Sequence, residues 1–335
     1  MEKINFILFG AGRIGTMHAK NIFENIEANL MYVYDVNEKA AIEVANLYKA
    51  KVITTPEEGL NDNAVSAVLI ASSTDTHIDL IIQSAKANKH IFCEKPIDLS
   101  IDKVNECKKK ISSFNKLIHI GFNRRYDASH SGAKSSLIKG EIGKLEKIII
   151  SSRDPEPPWA DYLKVSGGIF RDMIIHDFDL ARFVLGKDDI EQVFATGSVL
   201  FDKNVKSLND YDTAMVIMKS KNGVLVHINA SRRAAYGYDQ RLEIFGSKGM
   251  VISENQTPTS TKKFTSAGTF VKDPIHNFFI ERYTQAYKDS INDFVNCIKN
   301  NKETSVNFED GRLALVLANY AYESIKTGKF IDTNF

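Results

Sequence analysis

The sequence predicts an α/β protein in two parts: an N-terminal doubly wound parallel sheet, and a C-terminal α+β domain with a large, mainly antiparallel open sheet. Three observations carry this. Short apolar runs alternate with amphipathic helical stretches over residues 4–122, the rhythm changes after Asn123, and a glycine-rich turn stands directly behind the first apolar run.

The strand candidates of the first part are residues 6–9, 31–34, 68–70, 91–93 and 118–120. They are continuous apolar runs bounded by Gly, Pro, Asn or Ser, as strands buried on both faces are, and the stretches between them are long enough for crossover helices. After Asn123 the candidates follow one another without intervening helices, at 145–151, 192–199, 213–218, 224–230, 241–245 and 250–253, with turn signals such as Asn222-Gly223. That succession implies antiparallel pairing. Helical spacing appears at 169–184, at about 278–298 and at about 310–325. The domains are therefore expected at 1–122 and 123–335. A broad sheet with helices on one face leaves the other face for a partner, so self-association into a dimer or tetramer is expected.

Composition narrows the function. A chain of 335 residues, 43% apolar and 25% charged, is an ordinary globular protein of two domains. With 43 basic and 42 acidic side chains its net charge is +1, so nothing draws it to nucleic acid or to an anionic membrane. The basic run Lys108 to Lys110 reads as a solvated helix face. Cys93, Cys107 and Cys297 are few and widely spaced, which fits neither a disulfide framework nor a thiolate metal cage and suits a reducing cytoplasm. No metal is expected. The chain enters a strand pattern at Ile4 without a basic leader and has no bilayer-length apolar stretch, so neither secretion nor membrane insertion is expected.

Gly10-Ala11-Gly12-Arg13-Ile14-Gly15 follows the first strand and opens a helical pattern, the setting a Rossmann dinucleotide fingerprint requires. Gly10 permits the tight turn, Gly12 lets backbone approach the pyrophosphate, Gly15 lets helix and strand pack closely, and the helix terminus favours negative charge. Asp35, about twenty residues on, can accept hydrogen bonds from the adenosine ribose and repels a 2′-phosphate. NAD is favoured over NADP, although Asn37 and Lys39 stand nearby to soften the preference. Ser72, Ser73, Thr74 and His77 lie at the carboxyl edge of the sheet, where doubly wound folds collect ligands. They can line the nicotinamide ribose, while Thr74 or Asp75 can equally cap the helix that follows.

Two further segments carry chemistry. Cys93-Glu94-Lys95-Pro96 ends the fifth strand at the same edge, where a Lys-Pro pair is by itself only a turn. In Gly167-Gly168-Ile169-Phe170-Arg171-Asp172 and the run through His176 to Asp179, Asp172 and His176 stand four residues apart on one helical face. A carboxylate and an imidazole so placed can do general acid–base work. The plainer alternative pairs Asp172 with Arg171 or Arg182 on the surface.

Together these residues resemble the Gfo/Idh/MocA oxidoreductase family over nearly the whole chain. Within it, the segments beginning at Phe122, Ser152, Ser166, Tyr236 and Glu281 are most similar to the inositol-oxidising branch. The resemblance implies NAD-dependent oxidation of a ring hydroxyl of a polyol or sugar to a ketone. It implies Lys95, Asp172 and His176 as the catalytic set, with His176 the base and Lys95 bonding the reacting oxygen and the nicotinamide side. Arg13, Ile14, Glu94 and Lys95 join the cofactor residues, and Arg125, Asp154 and Tyr236 join Asp172 and His176 at substrate. Glu156-Pro157-Pro158-Trp159 departs from the pattern, and Trp159 is either a stacking platform for a sugar face or plain packing. The rivals are a dehydrogenase of another ring, an NADPH-using reductase and an NAD-sensing regulator without turnover.

Overall fold

The computed structural model describes residues 3–335 and divides into two compact units. The first comprises the chain up to Asn123 together with Gln285–Leu315, and the second comprises Arg124–Thr284 with Val316–Phe335.

The first unit follows the alternating rhythm. Its elements are β1 (Ile4–Phe9), α1 (Arg13–Glu24), β2 (Ala28–Tyr34), α2 (Glu38–Tyr48), β3 (Lys51–Val52), α3 (Pro56–Leu60), β4 (Ala67–Ile70), α4 (His77–Lys86), β5 (His90–Cys93), α5 (Ile101–Lys110) and β6 (Ile118–Ile120). The strands pair in parallel in the order β3-β2-β1-β4-β5-β6. Strand order therefore reverses between β1 and β4, and a crevice for ligands forms outside the carboxyl ends there. β3 is too short for apolar patterning to reveal. Lys108 to Lys110 end α5, with Lys108 and Lys110 paired to Glu309 and Glu106, so the basic run is a solvated helix end that complements the helix dipole.

The second unit holds α6 (Ala128–Ile138), β7 (Leu145–Arg153), α7 (Ala160–Val165), α8 (Gly168–Asp172), α9 (Ile175–Leu185), β8 (Ile190–Ser198), α10 (Lys203–Ser207) and β9 (Thr213–Ser220). It continues through β10 (Leu225–Ser231), β11 (Asp239–Gly246), β12 (Gly249–Ser253), β13 (Lys262–Thr265) and β14 (Gly268–Lys272). Two long helices, α11 (Phe279–Asn300) and α12 (Phe308–Thr327), and the short β15 (Ile331–Asp332) close the chain. The large sheet runs β12-β11-β7-β10-β9-β8-β15 and is antiparallel except for the β7–β10 pair. Inward residues alternate strictly, as Val226, Ile228 and Ala230 do on β10, while Met215, Ile217, Leu225, Met250 and Ile252 stand exposed on the opposite face. Among the described residues no helix is long and apolar enough to cross a membrane.

Two expectations need correcting. The domain expected at 123–335 does not hold together as one unit, because residues 285–315 belong to the first. Ile291, Phe294 and Val295 of α11 join the apolar core formed with β1 and α1, and Phe294 packs against Phe6 and Phe92 at ring distances of 6.2 and 5.7 Å. The amphipathic periodicity of α11 reveals a buried face but not the sheet that buries it. The helix expected over 169–184 is two helices. The amides of Met173 and Ile174 both reach the carbonyl of Ile169, at 3.1 and 2.9 Å, and this widened turn breaks α8 from α9.

Candidate active site

In the first unit the carboxyl ends of β1, β2, β4 and β5 gather the expected cofactor residues. Gly10 has φ +98°, and a Cβ there would come within 2.5 Å of the Ala71 carbonyl and the Ser72 amide. A Cβ on Gly15 would lie 1.9 Å from the Gly10 carbonyl, so the turn closes onto the helix only if both are glycine. A Cβ on Gly12, by contrast, would meet nothing within 4 Å. The Gly12 backbone is open on that side, at the N-cap of α1, and the exposed Arg13 and half-buried Ile14 begin the helix at the positive end of its dipole.

Asp35 ties the turn to the end of β2. Its two carboxylate oxygens accept from the amides of Ala11 at 2.6 Å and Asn37 at 2.7 Å. Each oxygen keeps a further lone pair, which leaves acceptor capacity for ribose hydroxyls. A backbone-lined turn at a helix N-terminus and an adjacent carboxylate fit the pyrophosphate and adenosine ribose of a dinucleotide, and the negative charge opposes a 2′-phosphate.

Ser72, Ser73 and Thr74 follow β4 at this edge. The Ser72 and Thr76 hydroxyls share a hydrogen bond of 2.6 Å, and the Thr76 hydroxyl donates to the Ser73 carbonyl at 2.8 Å. Neither Thr74 nor Asp75 caps α4, whose N-cap is Thr76 without a side-chain bond. His77 is turned into the protein. Its ring is 1% exposed, with Nδ1 2.8 Å from the Pro96 carbonyl and Nε2 3.1 Å from the Ser72 carbonyl. Burial holds its pKa below the usual value and so favours the neutral ring, which donates to one of these carbonyls and packs against the other between the loops after β4 and β5. The Glu94 carboxylate turns inward to His18 Nε2 at 2.7 Å and packs where a side chain on Gly121 would clash. His18, on the inner face of α1, was missed; its place behind the glycine motif shows only once β5 is set beside α1. The next residue, Lys95, is half-buried and precedes a cis Pro96.

In the second unit the strands aim the polar groups. β7 and β10 run parallel with Ser152 beside Ala230 and Arg153 beside Ser231, and the Asp154 amide donates to the Ser231 carbonyl at 2.9 Å. The next inward position on each strand is therefore Asp154 and Arg232. Arg232 is fully buried, and its Nη1 and Nη2 both donate to Asp172 Oδ2 at 3.3 Å. The Tyr162 hydroxyl donates to Asp172 Oδ1 at 2.7 Å, and the carboxylate remains 12% exposed. Burial pushes the Asp154 carboxyl up to about 6; Arg232 pulls it back and Asp172 adds to the rise. The same burial, with Asp172 adjacent, raises the Tyr162 phenol.

Asp172 thus ends α8 and His176 opens α9, on either side of the widened turn rather than on one helical face. Arg171 does not pair with Asp172 as the surface alternative had it; it donates to Asn319 at 2.7 and 3.0 Å. Arg232 and Tyr162 were missed, although Arg232 continues the inward parity of Val226, Ile228 and Ala230 by one step.

Two expected substrate residues have partners within the protein. Arg125 is buried and donates through Nε and Nη2 to Asp179 at 2.9 and 2.5 Å, a fork that anchors α9. Tyr236 is 53% exposed, with its hydroxyl accepting from Arg153 and donating to Asp239, both at 2.6 Å. Trp159 is 61% exposed with its ring 5.6 Å from that of Tyr162.

The family model described as "Oxidoreductase family, NAD-binding Rossmann fold" matches residues 4–122, and the GFO/IDH/MocA C-terminal domain matches residues 130–252. The chain belongs to the Gfo/Idh/MocA oxidoreductase family. It is 45% identical over 323 residues to the inositol 2-dehydrogenase of Rhizobium meliloti, covering 96% of this chain and 97% of that protein. It is 42% identical over 320 residues to the myo-inositol 2-dehydrogenase of Thermotoga maritima, covering 95% of each. The crystal structure of a myo-inositol dehydrogenase from Corynebacterium glutamicum superposes with a TM-score of 0.96 at 42% identity over 99% of both chains. In this oxidoreductase of the Gfo/Idh/MocA family the first unit is the NAD-binding domain, and the glycine turn and Asp35 are the parts of it that suit the dinucleotide.

Proposed function

We propose that the protein oxidises a ring hydroxyl of myo-inositol to the inosose ketone with NAD as oxidant, using Lys95, Asp172 and His176. The observation that supports this most strongly is the likeness, along nearly the whole chain, to proteins named inositol 2-dehydrogenase. Gly10, Gly12, Arg13, Ile14, Gly15, Asp35, Ser72, Ser73, Thr74 and Lys95 serve the cofactor, and Asp154 joins Asp172 and His176 at the polyol. Bound NAD supplies the acceptor for the electron pair of the C–H bond that breaks. His176 takes the hydroxyl proton, a task suited to an imidazole near neutral pH, and passes it to solvent. The ammonium of Lys95 stabilises the negative charge that develops on the substrate oxygen. Asp172, its carboxylate already oriented by Arg232 and Tyr162, accepts from a substrate hydroxyl.

The reaction belongs to polyol breakdown in the cytoplasm, where three free cysteines stay reduced. Subunits associate, as a dimer or tetramer, through the outer face of the large sheet. There Phe194, Ile217, His227, Ile149, Glu243 and Ile252 stand in register across neighbouring strands, flanked by exposed Met215, Leu225 and Met250. An apolar face of that extent on a single subunit is a seat for a second copy. Light scattering at monomer mass removes that part of the reading.

The test is NADH formation by the purified protein with NAD and myo-inositol, beside scyllo-inositol and aldoses, each repeated with NADP. Fastest turnover with NAD and myo-inositol is expected. Faster turnover of another polyol keeps the chemistry and moves the substrate, whereas silence on all of them with NAD still bound leaves a nucleotide-sensing protein. His176→Ala and Lys95→Ala are expected to lower turnover about a hundredfold or more, His176→Ala with NADH binding retained.

A further inference from the structure

We infer that Arg232 and Tyr162 are the positioning residues of Asp172, fixing from opposite oxygens the carboxylate that receives the substrate; this rests on the dehydrogenase reading above.

Arg232 has no exposure at all, and an ion so placed is costly unless opposite charge and hydrogen bonds compensate it. The compensation comes from the residues assigned to substrate: Asp172 accepts from both terminal nitrogens, and Asp154 and then Asp210 are the next acids acting on it. Asp210 is already spent on the amide of Ile169 at 3.0 Å, where it holds the start of α8. One cation thus links the two carboxylates assigned to the polyol.

Tyr162 completes the arrangement from the other side. Its hydroxyl takes Oδ1 while Arg232 takes Oδ2, so rotation of the carboxylate about its own axis would break a bond on each oxygen. Both partners donate, so both leave the Asp172 oxygens as acceptors. The carboxylate nevertheless keeps 12% exposure, which a purely structural ion pair in a core does not need. Asp172 also ends a helix at a widened turn, where its backbone lacks the rigidity of a helix interior, so its aim depends on side-chain partners. Tyr162 sits on α7, three residues beyond the solvent-facing Trp159, and links that segment to the site.

Arg232→Lys, Arg232→Met and Tyr162→Phe test this, with NADH affinity by fluorescence, steady-state kinetics varying polyol and NAD separately, and circular dichroism to confirm folding. Losing one charge-assisted hydrogen bond is expected to lower kcat/KM for the polyol about tenfold in Tyr162→Phe. NADH affinity and the KM for NAD should stay within about twofold, because those groups serve the polyol alone. Arg232→Met is expected to lose about a hundredfold or more, and Arg232→Lys, which keeps the charge but not the fork, to recover part of it. A structural role would lower thermal stability without that split between polyol and cofactor and without rescue by Lys. If Arg232→Met does not fold, Tyr162→Phe and Arg232→Lys decide. Wild-type kinetics in both overturns the proposal while the dehydrogenase reading stands; a wild-type protein silent on every polyol removes both.

Discussion

The first unit gathers mainly backbone groups at its candidate site, whereas the second gathers ionised side chains that it must hold inside its own core. At the end of β1 the recognition elements are a glycine turn, a helix terminus and one carboxylate that also anchors the turn. At the end of β7 and β10 stand Asp154, Asp172 and the buried guanidinium of Arg232 that holds Asp172, and the surrounding core contains three further Arg–Asp pairs, Arg124 with Asp177, Arg125 with Asp179 and Arg282 with Asp127. Backbone groups bind a part common to all dinucleotides and need only close approach. Side chains distinguish hydroxyl patterns, but they cost desolvation, so each charge is balanced where it is buried.

The comparison can be broken first at the Arg124–Asp177 pair. Arg124→Met leaves Asp177 buried without its cation and is expected to destabilise the protein by about 3–5 kcal/mol in urea unfolding, whereas Arg124→Met with Asp177→Leu should recover most of that. A double variant as unstable as the single one would mean that the charges hold the fold by more than mutual compensation.

A smaller effect is expected at Asp154, through pH. Its folded pKa, about 6, lies above the ordinary 3.8, so its contribution to stability is full at low pH and is lost as pH rises through about 6. Asp154→Asn removes that loss. Its unfolding free energy relative to wild type is therefore expected to rise between about pH 4 and pH 7 by roughly 1–2 kcal/mol, the side chain keeping some solvent access. A difference independent of pH would show that Asp154 titrates normally in the folded protein.

The smallest effect sharpens the backbone side of the comparison. Asp35→Ser removes the charge opposing a 2′-phosphate and one anchor of the Ala11 amide, and is expected to lower the ratio of NAD to NADP efficiency about tenfold with little change in KM for the polyol. An unchanged ratio would leave Asp35 as an anchor of the turn alone.

The difference between the units also decided what could be read in advance. The glycine motif, Asp35 and the strand runs lie close in sequence and announce their geometry through local rules: φ at Gly10, close approach at Gly15, apolar runs at β1, β4 and β5. Asp172 and His176 were legible as a pair of reactive types, but the widened turn between them was not, because nothing in helical spacing marks where an amide reaches one residue too far. Glu94, His77, Arg125 and Tyr236 were legible as polar residues at the correct edges and still take inward or lateral partners, His18, the Ser72 and Pro96 carbonyls, Asp179, and Arg153 with Asp239.

By itself, then, the sequence determined the two sheet types, the cofactor turn and most of the longer strands, since period and turn chemistry are properties of short segments. Only the tertiary structure decided which groups meet: that β7 lies parallel to β10, bringing Asp154 beside Arg232 as each strand's inward face runs one step past its end, and that α11 gives Phe294 to the core of β1. Those pairings join residues far apart in the chain, and they follow from strand order and the burial of whole faces rather than from any local pattern.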